Sequence, residues 1–203
     1  MKKILFTGFE PFGKESVNPS WAAVSMLPDT LDNIQLLKCH LPVEYDRAAG
    51  LLFDEIRRMQ PDAVICVGQG GGRAALTPEL VAINYDDAPD PDNAGVQRTD
   101  RTICPDGPAA YFSTIPVKQI IAAIRAAGVP SILSCSAGTY VCNNLMYHLL
   151  HGLAQEYPHI RGGFIHVPFE CSQTLDRGRM PSLPISAIAA GLEAAARAVA
   201  ENL

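Results

Sequence analysis

An α/β fold, three-layer α/β/α around a largely parallel, mixed central sheet, is predicted by three observations. Two apolar runs ending in glycine, Lys3-Ile-Leu-Phe-Thr-Gly8 and Pro61-Asp-Ala-Val-Ile-Cys-Val-Gly68, have the look of strands covered on both faces. Segments with apolar residues at helical spacing alternate with strand-like runs, giving a β-α-β-α-β order over the first third of the chain. Finally, 203 residues with 48% hydrophobic and 18% charged content suffice for a sizeable core in a single domain spanning 1–203.

The elements follow in order. After the first strand, Phe9-Glu-Pro-Phe-Gly13 places two aromatics among turn residues, where they either cap the core or line a pocket for a flat apolar group. Asn18-Pro-Ser-Trp21 supplies a cap and a first-turn proline for a helix toward Leu27. Ile34 to Val43 reads as a strand that ends, or forms an edge, at Pro42. From Tyr45 to Met59, apolar residues at 48, 52, 56 and 59 make one helical face. The Pro61–Gly68 strand runs into Gly68-Gln-Gly-Gly-Gly-Arg73, which lacks the Lys-Ser/Thr of a phosphate loop and the GxGxxG spacing. Close approach of a substrate backbone or carbonyl is the better reason for those glycines. Glu79 to Asn84 resumes a strand-like run, and a loop-rich stretch, a hairpin or a lid, extends to Pro108. Pro116 to Gly128 is a helix with a glycine stop. Ser131 to Ser136 is a strand leading to Cys142, with a helix from Asn143 to Leu153. Gly162 to Pro168 is a strand carrying His166, and alanine-rich Ile185 to Asn202 is a closing helix.

Several functions are excluded by composition. A formal net charge of -5 without any long Lys/Arg run argues against nucleic-acid or anionic-membrane partners and favours small molecules or peptides. No N-terminal run has the pattern of an export signal, so a cytoplasmic location is expected, with the six scattered cysteines as reduced thiols. There is no CxxC and no zinc spacing. The acids between Asp86 and Gly95 lack the register of a calcium loop, so neither metal nor cofactor is expected.

Chemistry converges on Cys142. Its position opening a helix is expected to favour the thiolate, through unpaired amides and the positive end of the macrodipole. A cysteine nucleophile needs a base, and that base needs an orienting acceptor. His166 is the only histidine embedded in an expected central strand, and Glu79 stands at the start of another. In α/β sheets ligands sit at the carboxyl ends of strands, where the Gly68 loop, Cys142 and His166 are candidates for one edge.

The blocks Thr7-Gly-Phe-Glu-Pro-Phe-Gly13, Val17-Asn-Pro-Ser20, Gly68-Gln-Gly-Gly-Gly-Arg73, Glu79-x-x-Ala-x-Asn84, Pro91-Asp-Asn93, Ser136-Ala-Gly-Thr-Tyr-Val-Cys-Asn143 and Gly163-Phe-Ile-His-Val-Pro168 together resemble the pyroglutamyl peptidase I (pyrrolidone carboxyl peptidase) family. The resemblance covers nearly the whole chain. It implies a metal-free cysteine peptidase acting on peptides with an N-terminal pyroglutamate, cytosolic and commonly homotetrameric. Cys142 would be the nucleophile, His166 the general base and acid, and Glu79 the group orienting the imidazole. Phe9 and Phe12 would pack on the lactam ring, Gln69 would stand on the substrate side, and Val43, Tyr140 and Val141 would line the pocket. One departure stands out. The family usually has an arginine and an aliphatic residue before Pro-Asp-Asn, where this chain has Pro89 and Asp90, so Asp90 is expected to put a carboxylate near the apolar pocket and displace that loop. Two other readings are a nucleoside-phosphorylase-like protein holding phosphate in the glycine loop, with Cys142 structural, and a binding module without chemistry.

Overall fold

The computed structural model describes residues 1–203. Strand β1 (Lys2–Phe9) leads into helix α1 (Pro19–Met26), where Asn18 Oδ1 accepts from the Ser20 amide at 3.0 Å and Pro19 takes the first turn. Next come β2 (Thr30–Leu31) and β3 (Ile34–Leu41), which stops before Pro42. Helix α2 (Arg47–Met59) buries Ala48, Leu52 and Ile56 and is followed by β4 (Ala63–Gln69). The short strands β5 (Thr77–Pro78), β6 (Val81–Ile83) and β7 (Ala110–Phe112) precede α3 (Val117–Ala126) and α4 (Val141–Glu156). Then come β8 (Arg161–Val167), β9 (Phe169–Glu170), a 3-10 turn at Cys171–Thr174, β10 (Ser182–Leu183) and α5 (Ile185–Glu201). No helix is long and apolar enough to cross a membrane.

The central sheet runs β2-β3-β1-β4-β8-β5, with β3, β1, β4 and β8 parallel and the two short outer strands antiparallel. Alternation along the strands divides the core into two layers. Ile4, Phe6, Ile65 and Ile165 face α1, α3 and α5, whereas Leu5, Val64, Cys66 and Phe164 face α2 and α4. This is the three-layer, mostly parallel arrangement expected. From β1 the chain crosses to β3 on one side and returns to β4 on the other, so the strand order reverses beside β1. The carboxyl ends of β1 and β4 therefore open a crevice.

Two expected strands differ. Ser131 to Ser136 makes only isolated parallel bridges, Leu76 with Ser131 and Glu79 with Ser134. Its hydrogen bonds, Ile132 N to Leu76 O and Ser134 N to Pro78 O, start a ladder that position 78 cannot complete, because proline has no N–H to donate. The run from Glu79 to Asn84 shortens to β6, which leaves the central sheet and pairs antiparallel with β7. The loop-rich stretch between them is tied across its base by paired Asp86 and Arg101 backbones.

Candidate active site

Three strand ends and the start of one helix meet at the crevice. Phe9 ends β1, Gln69 ends β4, His166 lies near the end of β8, and Cys142 is the second residue of α4. They share a small pocket of ≈ 130 Å³ with Phe12, Val43, Tyr140 and Val141, so every side chain expected at the site from sequence, apart from Glu79, lines one cavity. Asn18 and Ala137 complete the wall, and neither was singled out as pocket-forming because each reads from sequence only as a cap or a turn residue.

Glu79 stands one layer behind. His166 Nδ1 bonds Glu79 Oε1 at 2.8 Å, and because a carboxylate only accepts, Nδ1 carries the proton and Nε2 offers a lone pair. Phe164, two residues earlier on the same face of β8, packs against the imidazole with ring centroids 4.7 Å apart. His166 and Gly68 are register partners across β4 and β8. Sγ of Cys142 lies 2.9 Å from where a Cβ on Gly68 would stand, so the absent side chain is the space into which α4 delivers the thiol.

Gly70 and Gly71 work alike, whereas Gly72 takes a φ of 82° that favours glycine. A Cβ on Gly70 would come within 2.7 Å of Arg73 Cδ, and one on Gly71 within 2.6 Å of the Phe169 ring. Close approach is therefore a reason for glycine at 68, 70 and 71, where the groups that come close are the protein's own side chains. Gln69 is held by Gln173, whose Nε2 donates to Gln69 Oε1 at 2.9 Å.

One electrostatic expectation is overturned. Burial, followed by the negative charge of Glu79, pushes the Cys142 thiol up to about 12, with Arg73 pulling the other way. The helix N-terminus thus does not leave a free thiolate. Burial also depresses His166 below the ordinary histidine range, against the opposing pull of Glu79, so the resting pair is a neutral thiol beside a neutral imidazole. Asp90 stands near the pocket as expected, without lining it: burial raises the Tyr140 hydroxyl, and the charges of Asp92 and Asp90 add to that rise. Asp90 is exposed, and the loop before Pro91 is held by Gln97 Nε2 donating to the Pro89 carbonyl at 2.8 Å. The cavity wall contains no charged side chain.

Arg73 was quoted in the glycine motif without a role. It donates to Glu79 Oε1 at 2.7 Å, a contact the sequence signals only through the short separation of the two residues.

The chain is similar over its whole length to known proteins. A family model described as "Pyroglutamyl peptidase" matches residues 2–202. The pyrrolidone-carboxylate peptidase of Streptomyces coelicolor is 49% identical over 203 residues, 100% of this chain and 94% of its own length. That of Clostridium botulinum is 44% identical over 200 residues, 98% of this chain and 94% of its own. Among solved structures, pyroglutamyl peptidase I of Bacillus amyloliquefaciens superposes with a TM-score of 0.96 at 42% identity, covering 99% of this chain and 98% of that one. A mutant pyrrolidone carboxyl peptidase from Pyrococcus furiosus gives 0.93 at 37% identity, with 99% of each chain covered. A match that spans the chain from β1 to the end of α5, at these identities, leaves one conclusion: the chain belongs to the pyroglutamyl peptidase family.

Proposed function

We propose that the protein is a cysteine peptidase that removes N-terminal pyroglutamate from peptides through a thioester on Cys142, with Cys142, His166 and Glu79 acting as a triad. The observation that carries this reading is a thiol and an imidazole opening into a small cavity without charged side chains. Pyroglutamate is a neutral lactam. It carries no terminal ammonium, so its pocket needs no carboxylate, and the faces of Phe9 and Phe12 with polar Gln69 suit a flat ring bearing an amide. Val43, Tyr140 and Val141 close the rest of the ring site.

The mechanism starts from the neutral pair. His166 Nε2 takes the Cys142 proton as Sγ attacks the pyroglutamyl carbonyl, and Glu79 stabilises the imidazolium through Nδ1–H. The cap residue of α4, Tyr140, makes no side-chain capping bond, so first-turn amides are left to stabilise the oxyanion. The imidazolium then donates its proton to the leaving amine, and the peptide departs. Water, deprotonated by His166, hydrolyses the thioester and frees pyroglutamate. A cytosolic location and a homotetramer, implied by the sequence resemblance, belong to this reading.

The test is release of coumarin from a pyroglutamyl-coumarin substrate. Wild type is expected to release it, thiol alkylation to abolish release, and Cys142→Ser to be folded and inactive. Full activity in the serine variant, or none in folded wild type, would overturn the assignment.

A further inference from the structure

Arg73 adjoins the site without lining its cavity. Its Nη1 donates to Glu79 Oε1, the same oxygen that receives His166 Nδ1–H. Nη1 also meets Thr77 Oγ1, and Nη2 donates to the Ser136 carbonyl at 3.2 Å, on the segment that leads to Cys142. One guanidinium therefore ties together the glycine loop after β4, the Thr77–Glu79 stretch and the approach to α4.

Glu79 is wholly buried, and its Oε2 has no hydrogen-bond partner. A carboxylate in that setting is costly to hold in place without a paired cation, and Arg73 is the only Lys or Arg that contacts it. The glycine loop is shaped for the purpose. A Cβ on Gly70 would lie 2.7 Å from Arg73 Cδ and 2.9 Å from its Nε, so glycine there gives the arginine stem its path. A planar fork can serve Glu79 and Ser136 at once, whereas an ammonium is a single point charge.

Resting on the peptidase reading above, we propose that Arg73 is a positioning residue for the reaction: by pinning Glu79 it holds His166 with Nδ1–H on Oε1, which leaves Nε2 as the nitrogen free to act as base. Its charge matters as well as its grip. The charged and titratable groups facing Cys142 and His166 are Glu79, Arg73, Cys66 on β4 and, beside Cys142 in the cavity wall, Tyr140, whose hydroxyl burial holds in its neutral form. Arg73 favours proton release from both His166 and Cys142, and Glu79 favours proton retention. Without Arg73 the carboxylate acts unopposed, and the cluster keeps its protons to higher pH.

The test compares kcat, KM and their pH dependence for a pyroglutamyl-coumarin substrate in wild type, Arg73→Met and Arg73→Lys, with a thermal melt of each. Arg73→Met is expected to lower kcat about 100-fold with little change in KM, the size of effect that slight misplacement of a catalytic group produces. Its acid limb of kcat/KM should move to higher pH. Arg73→Lys, which keeps the charge but not the fork, should return the limb toward its wild-type position and recover only part of kcat. Unchanged kcat in Arg73→Met, or a uniform loss with both limbs in place in an Arg73→Met that melts like wild type, would reduce Arg73 to a packing residue and overturn the proposal. Should Arg73→Met not fold, Arg73→Lys decides: a kcat equal to wild type overturns the proposal, and a reduced kcat with an unmoved acid limb supports it. Wild type that leaves the substrate intact fails the peptidase reading before any variant is made, and the Arg73 proposal falls with it.

Discussion

Single residues set the site's geometry through what they lack as much as through what they carry. Gly68 is the sharpest case, since its missing Cβ is where the Cys142 thiol and the Phe164 ring edge come together, at 2.9 and 2.7 Å from the position such an atom would take. Gly68→Ala is predicted to lower kcat about 100-fold, because the thiol must move relative to His166. Overpacking should also cost about 1–3 kcal/mol, visible as a melting temperature several degrees lower. Steady-state kinetics with a thermal melt would check both. The glycine itself was legible in the sequence, but its neighbours were not, because Cys142 and Phe164 reach it from elements far along the chain. The thiol misled for a related reason. Its place at a helix start was legible, whereas the burial and the Glu79 charge that outweigh the helix end depend on packing no local pattern encodes.

At the scale of elements, the loop between β6 and β7 holds one wall of the pocket. Asp92 Oδ2 accepts from the Tyr45 amide at 2.9 Å, the Asn93 amide donates to Val43 O at 2.9 Å, and the Tyr140 hydroxyl donates to Pro91 O at 2.9 Å. Arg98 anchors that loop. It donates to buried Asp86 at 2.8 Å and to Asp46 at the start of α2 at 3.0 Å, and it stacks 4.4 Å over the Tyr45 ring. Asp46 combines a φ of 58° with a ψ of -37°, outside the left-handed helical region, and its ties to Arg98 hold it there. Arg98→Met is predicted to raise KM severalfold while changing kcat little. It should also destabilise the fold by about 3–5 kcal/mol, the cost of leaving a buried charge unpaired. Denaturant melts alongside kinetics would measure both effects. From sequence Asp86 belongs only to a loop whose acids lack calcium register, and its pairing is not legible because Arg98 lies on the far side of the loop and Asp46 is remote in the chain. Pro78 likewise interrupts the ladder expected at Ser131 to Ser136, and that interruption is a property of the neighbouring segment rather than of the run itself.

For the whole molecule, the layers were legible because continuous apolar runs in β1, β4 and β8 and helical patterns in α2 and α5 are local and strong. Strand order was not, since nothing in the spacing specifies that β1 sits between β3 and β4. That order creates the crevice, and with it the meeting of Phe9, Gln69, Cys142 and His166 in one cavity. What the sequence supplied about the site beyond candidates came from the ordered motifs of the family it resembles. The central claim is that Cys142 carries the acyl group. The most direct measurement is mass spectrometry of the protein quenched in acid during turnover of a pyroglutamyl ester, with the adduct mapped to a peptide. A pyroglutamyl thioester on the peptide containing Cys142, absent from Cys142→Ser, is the predicted result. A pyroglutamyl adduct on another residue, such as exposed Cys135 or Cys171, with turnover retained in Cys142→Ser, would contradict it.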